Sequence, residues 1–144
     1  MGVDYSQEAL GIAKKNVALN NLNDRINLIQ SDWCASVTLA DFDIIVSNPP
    51  YIREDVIPQL SEEVKNHDPI LALLGGKTGL DAYEKILFSV KSEKNVTARL
   101  FLEIGFDQLN DLVRLADDSN LRVCDSRTDL AGNPRVVEIA CGDK

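Results

Sequence analysis

Phe42-Asp43-Ile44-Ile45-Val46-Ser47-Asn48-Pro49-Pro50-Tyr51 is the stretch on which the fold and the chemistry of this chain both turn. The apolar, β-branched run from Phe42 to Ser47 predicts a buried strand. Asn48-Pro49-Pro50 stops that strand, because each proline fixes φ, removes an N–H donor and drives the preceding residue away from helix. What remains beyond the strand is a cluster of acceptors, the Asn48 side-chain oxygen and the Pro49 carbonyl, beside the Tyr51 ring. Such a cluster suits an NH₂ group attached to a planar system. Two acceptors hold the two N–H bonds while the ring packs on the plane. The nitrogen is then pinned with one face free to attack an electrophile. A rigid turn accounts for one proline, but not for the whole tetrapeptide after a strand.

Working outward, the apolar period changes several times. Ser6 can cap a helix in which Ala9, Leu10, Ala13 and Val17 recur at three- and four-residue spacing, ending at Asn20-Asn21. Ile26 to Gln30 is short, apolar and β-prone. Residues 52–79 read as irregular. Ala82, Tyr83, Ile86, Leu87 and Val90 stripe a second helix, and Leu109, Leu112, Val113 and Ala116 a third that Asp107 can cap. Arg99 to Ile104 reads as a strand, and two last strands near Leu121–Ser126 and Arg135–Ala140 flank the turn Leu130-Ala131-Gly132-Asn133-Pro134. Strands alternating with helices predict an α/β fold with a mostly parallel sheet. The last two strands, with no helix between them, should pair antiparallel at one edge.

In such sheets ligands sit beyond the carboxyl ends of the strands. That marks three places: after Val3, after Gln30 and after Val46. At the first, Asp4 is placed to accept from both hydroxyls of a ribose, each bond being charge-assisted, or to cap the following helix. At the second, Asp32 can accept from an exocyclic amine while Trp33, the only tryptophan, packs on a flat ring. The alternative is a half-buried Trp33 with Asp32 as a turn residue. The third place is Asn48 to Tyr51.

Composition excludes whole classes. The 144 residues carry 15 Lys+Arg against 23 Asp+Glu, a formal net charge of −8, and 44% are hydrophobic, enough for one core. Neither a disordered chain nor a membrane span fits, and no signal peptide is visible. Cys34, Cys124 and Cys141 are far apart and odd in number, so neither a disulfide framework nor a metal site is expected, and the cytoplasm is the default compartment. The acidic balance argues against gripping nucleic acid through its phosphates. His67, the only histidine, reads as a surface or packing residue rather than a base.

Taken together, Asp4, Asp32-Trp33 and Asn48-Pro49-Pro50-Tyr51 resemble the S-adenosylmethionine-dependent methyltransferases that modify planar amino groups. Ser31-Asp32-Trp33, Ser47–Ile52, Asp68-Pro69 with Ala72-Leu73, Gly76 and Gly79-Leu80, and Asp129-Leu130-Ala131-Gly132-Asn133-Pro134-Arg135-Val136-Val137 are similar to the release-factor glutamine methyltransferases (the PrmC/HemK family). The resemblance covers essentially all of residues 3–140. It implies a Rossmann-like methyltransferase fold with S-adenosylmethionine as cofactor. Asp4 would bind the ribose, Trp33 with Asp32 would line the adenine pocket, and Asn48 would meet cofactor and substrate. Asn48, Pro49, Pro50 and Tyr51 would hold a glutamine side-chain amide in the Gly-Gly-Gln loop of a peptide chain release factor, the protein partner. His67-Asp68-Pro69 departs from the family, which more often has an aromatic and a glutamate before the proline.

A second departure is larger. The family's acidic-x-Gly-x-Gly loop after its first strand, and its helical N-terminal domain, have no counterpart in these residues. Residues 1–144 therefore read as a partial catalytic domain running from the second strand to the C-terminus, expected to be inactive by itself. Two alternatives stay open: a nucleic-acid base methyltransferase sharing the Asn-Pro-Pro-Tyr signature, and a non-catalytic fragment.

Overall fold

Alternation in Arg99-Leu100-Phe101-Leu102-Glu103 builds the strand around which most of the chain is organised. Leu100 and Leu102 point to one side and are fully buried, as are Val137 and Ile139 on the strand beside it. In the computed structural model, which describes residues 1–142, the order is β1 (Gly2–Asp4), α1 (Gln7–Leu19), β2 (Leu28–Gln30), β3 (Ile44–Ser47), α2 (Glu62–His67), α3 (Ile70–Leu73), α4 (Asp81–Ser92), β4 (Arg99–Glu103), α5 (Leu109–Asp118), β5 (Arg122–Thr128) and β6 (Pro134–Ala140). The chain divides into two compact units, Met1–Thr38 and Leu39–Lys144.

The smaller unit is a strand–helix–strand. β1 and β2 run parallel, with Gly2 opposite Leu28 and Asp4 opposite Gln30. α1 begins where expected because the Ser6 hydroxyl accepts from Ala9 N at 3.2 Å. It buries Leu10 against the strands and leaves Ile12 and Leu19 exposed.

The larger unit is a four-stranded sheet in the order β3-β4-β6-β5. β3 and β4 are parallel, and β6 runs against both β4 and β5. The expected antiparallel pair at one edge is therefore present, with β5 outermost and β6 inserted between it and β4. α4 buries Ala82, Tyr83, Ile86, Leu87 and Val90, and α5 buries Leu112 and Ala116. Each fully buried large side chain of this group stabilises the unit by about 1.5–3 kcal/mol.

Three local expectations need correction. A strand does form, but over Ile44–Ser47 and not buried: Ile44 is 62% and Val46 75% exposed, because the face they share is left uncovered on a strand at the sheet's edge. Residues 52–79 hold a 3-10 turn at Ile57–Gln59 and two short α-helices; Ser61 caps α2 by accepting from Val64 N, and Pro69 precedes α3. Asp107 does not cap α5. The cap position is Gln108, whose side chain is committed elsewhere.

The backbone bonds show which groups face open edges. Arg99 N donates to Asp43 O, so in the parallel ladder the odd-numbered residues of β3 face β4 and those of Ile44 and Val46 face away. In β1, Gly2 N donates to Asn27 O and Ser31 N to Asp4 O, which turns the Val3 amide away from β2. Such edges are templates for a further strand. Amide hydrogen exchange should find Val3, Ile44 and Val46 exchanging far faster than Leu100 and Leu102; protection of the β3 edge amides equal to that of β4 would contradict this topology.

Candidate functional site

Within the smaller unit, the expected cofactor residues gather at one end of the parallel pair. Asp4 is the last residue of β1, and its carbonyl accepts from Ser31 N at 3.1 Å, so Asp32 and Trp33 follow directly on that bond. Asp4 Oδ1 accepts from Ser6 N at 2.7 Å, and Ser6, not Asp4, is the helix cap. Gln30 Nε2 donates to Tyr5 O at 2.9 Å and ties the two strand ends together. Ser31 is buried, and its hydroxyl accepts from Ser36 N at 3.0 Å, while Asp32 O accepts from Ala35 N. The turn so formed holds Trp33 at φ 53°, a left-handed conformation rare for a bulky residue. An exposed carboxylate at a strand's carboxyl end with an indole one loop away fits a nucleoside: a diol for the acid and a flat ring for the indole.

Within the larger unit, Asn48 to Tyr51 leave the carboxyl end of β3, with Asn48 exposed, Pro49 buried and Tyr51 partly buried. Two consecutive prolines remove two of the four amide donors of this segment, and other parts of the chain hold it. Gln108 does most of this. It is buried, and its Nε2 donates to Tyr51 O and to Gly79 O, both at 3.1 Å. Its Oε1 accepts from Gly105 N at 2.9 Å. One amide thus binds the tetrapeptide, the loop before α4 and the end of β4.

The loop lies against the back of the motif. A Cβ on Gly75 would sit 2.8 Å from Tyr51 Cα and 2.9 Å from Pro50 O. Gly79 adopts φ +78°, and a Cβ there would meet Tyr51 O and Gln108 Nε2 at 2.6 Å each. Ile52 N donates to Leu73 O and Gly75 N to Ile52 O, a short bridge that continues the clamp.

The Tyr51 phenol has polar partners as well. Its Oη donates to Glu103 Oε1 and accepts from Arg135 Nη1, each at 3.4 Å. Burial, and then the Glu103 carboxylate, push its pKa upward, with Arg135 opposing. Tyr83 is fully buried beneath and donates to Glu103 O at 2.9 Å; burial raises its phenol strongly. Both phenols stay protonated at neutral pH. Glu103, Gln108 and Tyr83 escaped the sequence reading because a glutamine before a helix and a tyrosine in an apolar stripe look like a cap and a core residue.

Comparison with known proteins fits this geometry. Residues 1–66 match the family described as Methyltransferase small domain. Over 137 residues, or 95% of this chain, the sequence is 41% identical to a release factor glutamine methyltransferase from Agrobacterium fabrum. It is 38% identical over 93% of its length to one from Clostridium acetobutylicum. A bifunctional methyltransferase from Rickettsia felis is 34% identical over 95% of the chain, which covers 26% of that protein. The chain spans about half the length of the first two relatives, 47% and 48%. Among solved structures, a ribosomal protein L11 methylase from Lactobacillus delbrueckii subsp. bulgaricus superposes with a TM-score of 0.64 at 18% identity. That match covers 96% of this chain and 55% of the other. The hMettl16 catalytic domain, solved with an RNA hairpin, gives 0.73 at 17% identity, covering 98% and 55%. The fold is therefore the α/β Rossmann-like methyltransferase fold, and the resemblance to release-factor glutamine methyltransferases read from the motifs is borne out across nearly the whole chain.

Two outcomes follow from the packing and the charges. Gly75→Ala should lower stability by about 1–3 kcal/mol, since the added methyl must displace backbone rather than a flexible side chain. Gly11→Ala, with nothing within 4 Å of the new Cβ, should be neutral or stabilising; comparable melting temperatures for the two variants would contradict the close approach. Hydrogen bonds from Asn133 N and the Arg135 guanidinium hold the Asp129 carboxyl below its ordinary value. A depressed folded pKa contributes stability above the unfolded value of about 4, and that contribution is lost as pH falls through the folded one. An NMR titration should show Asp129 protonating at a lower pH than an ordinary aspartate; a normal or raised midpoint would contradict the Asp129–Arg135 pairing.

Proposed function

We propose that this chain carries residues of an S-adenosylmethionine-dependent protein-(glutamine-N5) methyltransferase, acting on the glutamine of the Gly-Gly-Gln motif in a peptide chain release factor. The observation that supports it most is the clamped tetrapeptide Asn48–Tyr51 at the carboxyl end of β3, held by Gln108 and closely approached by Gly75. When bound, the cofactor would supply an electrophilic methyl group from its sulfonium, the electron pair of the broken S–C bond remaining on sulfur as a neutral thioether. Asp4, Asp32 and Trp33 hold its nucleoside. The Asn48 side-chain oxygen and the Pro49 carbonyl accept the two N–H bonds of the glutamine amide, and the Tyr51 ring packs on the amide plane.

An amide nitrogen is a poor nucleophile because its lone pair is delocalised. Orientation must then supply much of the rate, and a segment without conformational freedom is the means of supplying it. The nitrogen gains a methyl and loses one proton, which passes to water. A release factor as substrate places the reaction in the cytoplasm, and among the described residues no helix is long and apolar enough to cross a membrane. The net charge of −8 favours a protein substrate over a nucleic acid.

Methyl-labelled cofactor tests the substrate. A complete enzyme carrying these residues should label the release-factor glutamine and leave duplex DNA and rRNA unlabelled; label in nucleic acid with none in the release factor overturns the proposal. In the same enzyme, Asn48→Ala should lower kcat by about 10²–10³ with cofactor affinity nearly unchanged, and a loss below about fivefold would remove Asn48 from this role.

A further inference from the structure

Arg135 has no part in the chemistry so far, yet three separate segments converge on it. It is the second residue of β6, next to Val136, which pairs with Glu103 at the end of β4. Its Nη1 donates to Ile104 O at 3.0 Å and to the Tyr51 hydroxyl at 3.4 Å, and its Nη2 donates to Asp129 Oδ2 at 3.2 Å. Ile104 N returns a bond to Arg135 O at 2.9 Å, so the strand and the side chain grip the same residue.

Asp129 is itself held. Its Oδ1 accepts from Ala131 N at 2.9 Å and Asn133 N at 3.0 Å, and its own N donates to Asn133 O at 2.8 Å. The hairpin turn between β5 and β6 is thereby closed around one carboxylate. On the other side of Tyr51, Glu103 accepts the phenolic proton. The phenol is fixed as an acceptor toward Arg135 and a donor toward Glu103, which leaves its O–H a single orientation.

From this chain of contacts we propose that Arg135 is a positioning residue for the Asn48–Tyr51 tetrapeptide: seated on Asp129 and Ile104, it clamps the Tyr51 phenol against Glu103 and fixes the ring that packs on the substrate amide. The proposal rests on the glutamine reading for its functional consequence, but not for the clamp. A guanidinium is suited to this because its donors form a rigid planar fork that reaches several acceptors at once. A lysine ammonium is a point charge and cannot reproduce it. Gln108 holds the backbone of Tyr51; Arg135 holds the far end of its side chain.

Side-chain relaxation of ring-labelled Tyr51 in the 144-residue chain tests the clamp. Wild type should show one fixed χ1 rotamer; Arg135→Gln and Arg135→Lys should show rotamer averaging, with Tyr83 unchanged as the internal control. Tyr51 equally fixed in Arg135→Gln overturns the proposal whatever the activity. Should Arg135→Gln not fold, Arg135→Lys and Asp129→Asn decide by the same readout.

Kinetics of a complete enzyme carrying these residues tests the consequence. Arg135→Gln and Arg135→Lys should lower kcat about tenfold or more with KM for S-adenosylmethionine unchanged, the signature of misplacement rather than lost binding. An unchanged kcat alongside a mobile Tyr51 also overturns the positioning role. A wild-type enzyme that methylates no glutamine refutes the functional reading, while the relaxation result still decides the clamp.

Discussion

Everything at the candidate substrate site depends on one consequence of Pro49 and Pro50. A strand that runs into two prolines loses two successive amide donors with which to fasten its continuation. The four residues from Asn48 to Tyr51 are therefore anchored from outside, through the Tyr51 carbonyl, the backbone of Gly75 and the Tyr51 hydroxyl. Gln108 supplies the first anchor with the same amide that binds Gly79 and Gly105, so the loop before α4, the end of β4 and the motif move together or not at all.

That arrangement explains residue choices which would otherwise look arbitrary. Gly75 and Gly79 are glycines because a side chain on either would occupy space already filled by Tyr51 or Gln108. Tyr83, in the middle of the apolar stripe of α4, keeps its hydroxyl because the Glu103 carbonyl above it needs a donor. Gln108 sits at the start of α5 without capping it, since its side chain is spent on the site. In each case a local preference yields to a contact made elsewhere.

The electrostatics run in the same direction. Glu103 and Arg135 bracket Tyr51 with opposite charges, and the burial of the phenol keeps it neutral. Asp129 compensates Arg135 on its far side and is itself stabilised by backbone donors. The tetrapeptide thus rests on a charge-balanced support.

The sequence by itself determined the order and kind of the elements and the position of the tetrapeptide at a strand's end. Periods of two and 3.6, a serine cap and a pair of prolines act over a few residues and are legible wherever they stand. The placement of Asp4, Asp32 and Trp33 at strand ends was legible for a related reason, since it follows from the same local periods. The tertiary structure alone decided that β3 lies at an edge with Ile44 and Val46 exposed, because exposure depends on which elements arrive beside and over it and not on its own composition. It alone joined Gln108 to Tyr51 across 57 positions and Arg135 to Tyr51 across 84. Such contacts leave no periodic trace in a sequence, because a side chain's partner is set by where the backbone carries it once the whole sheet has formed.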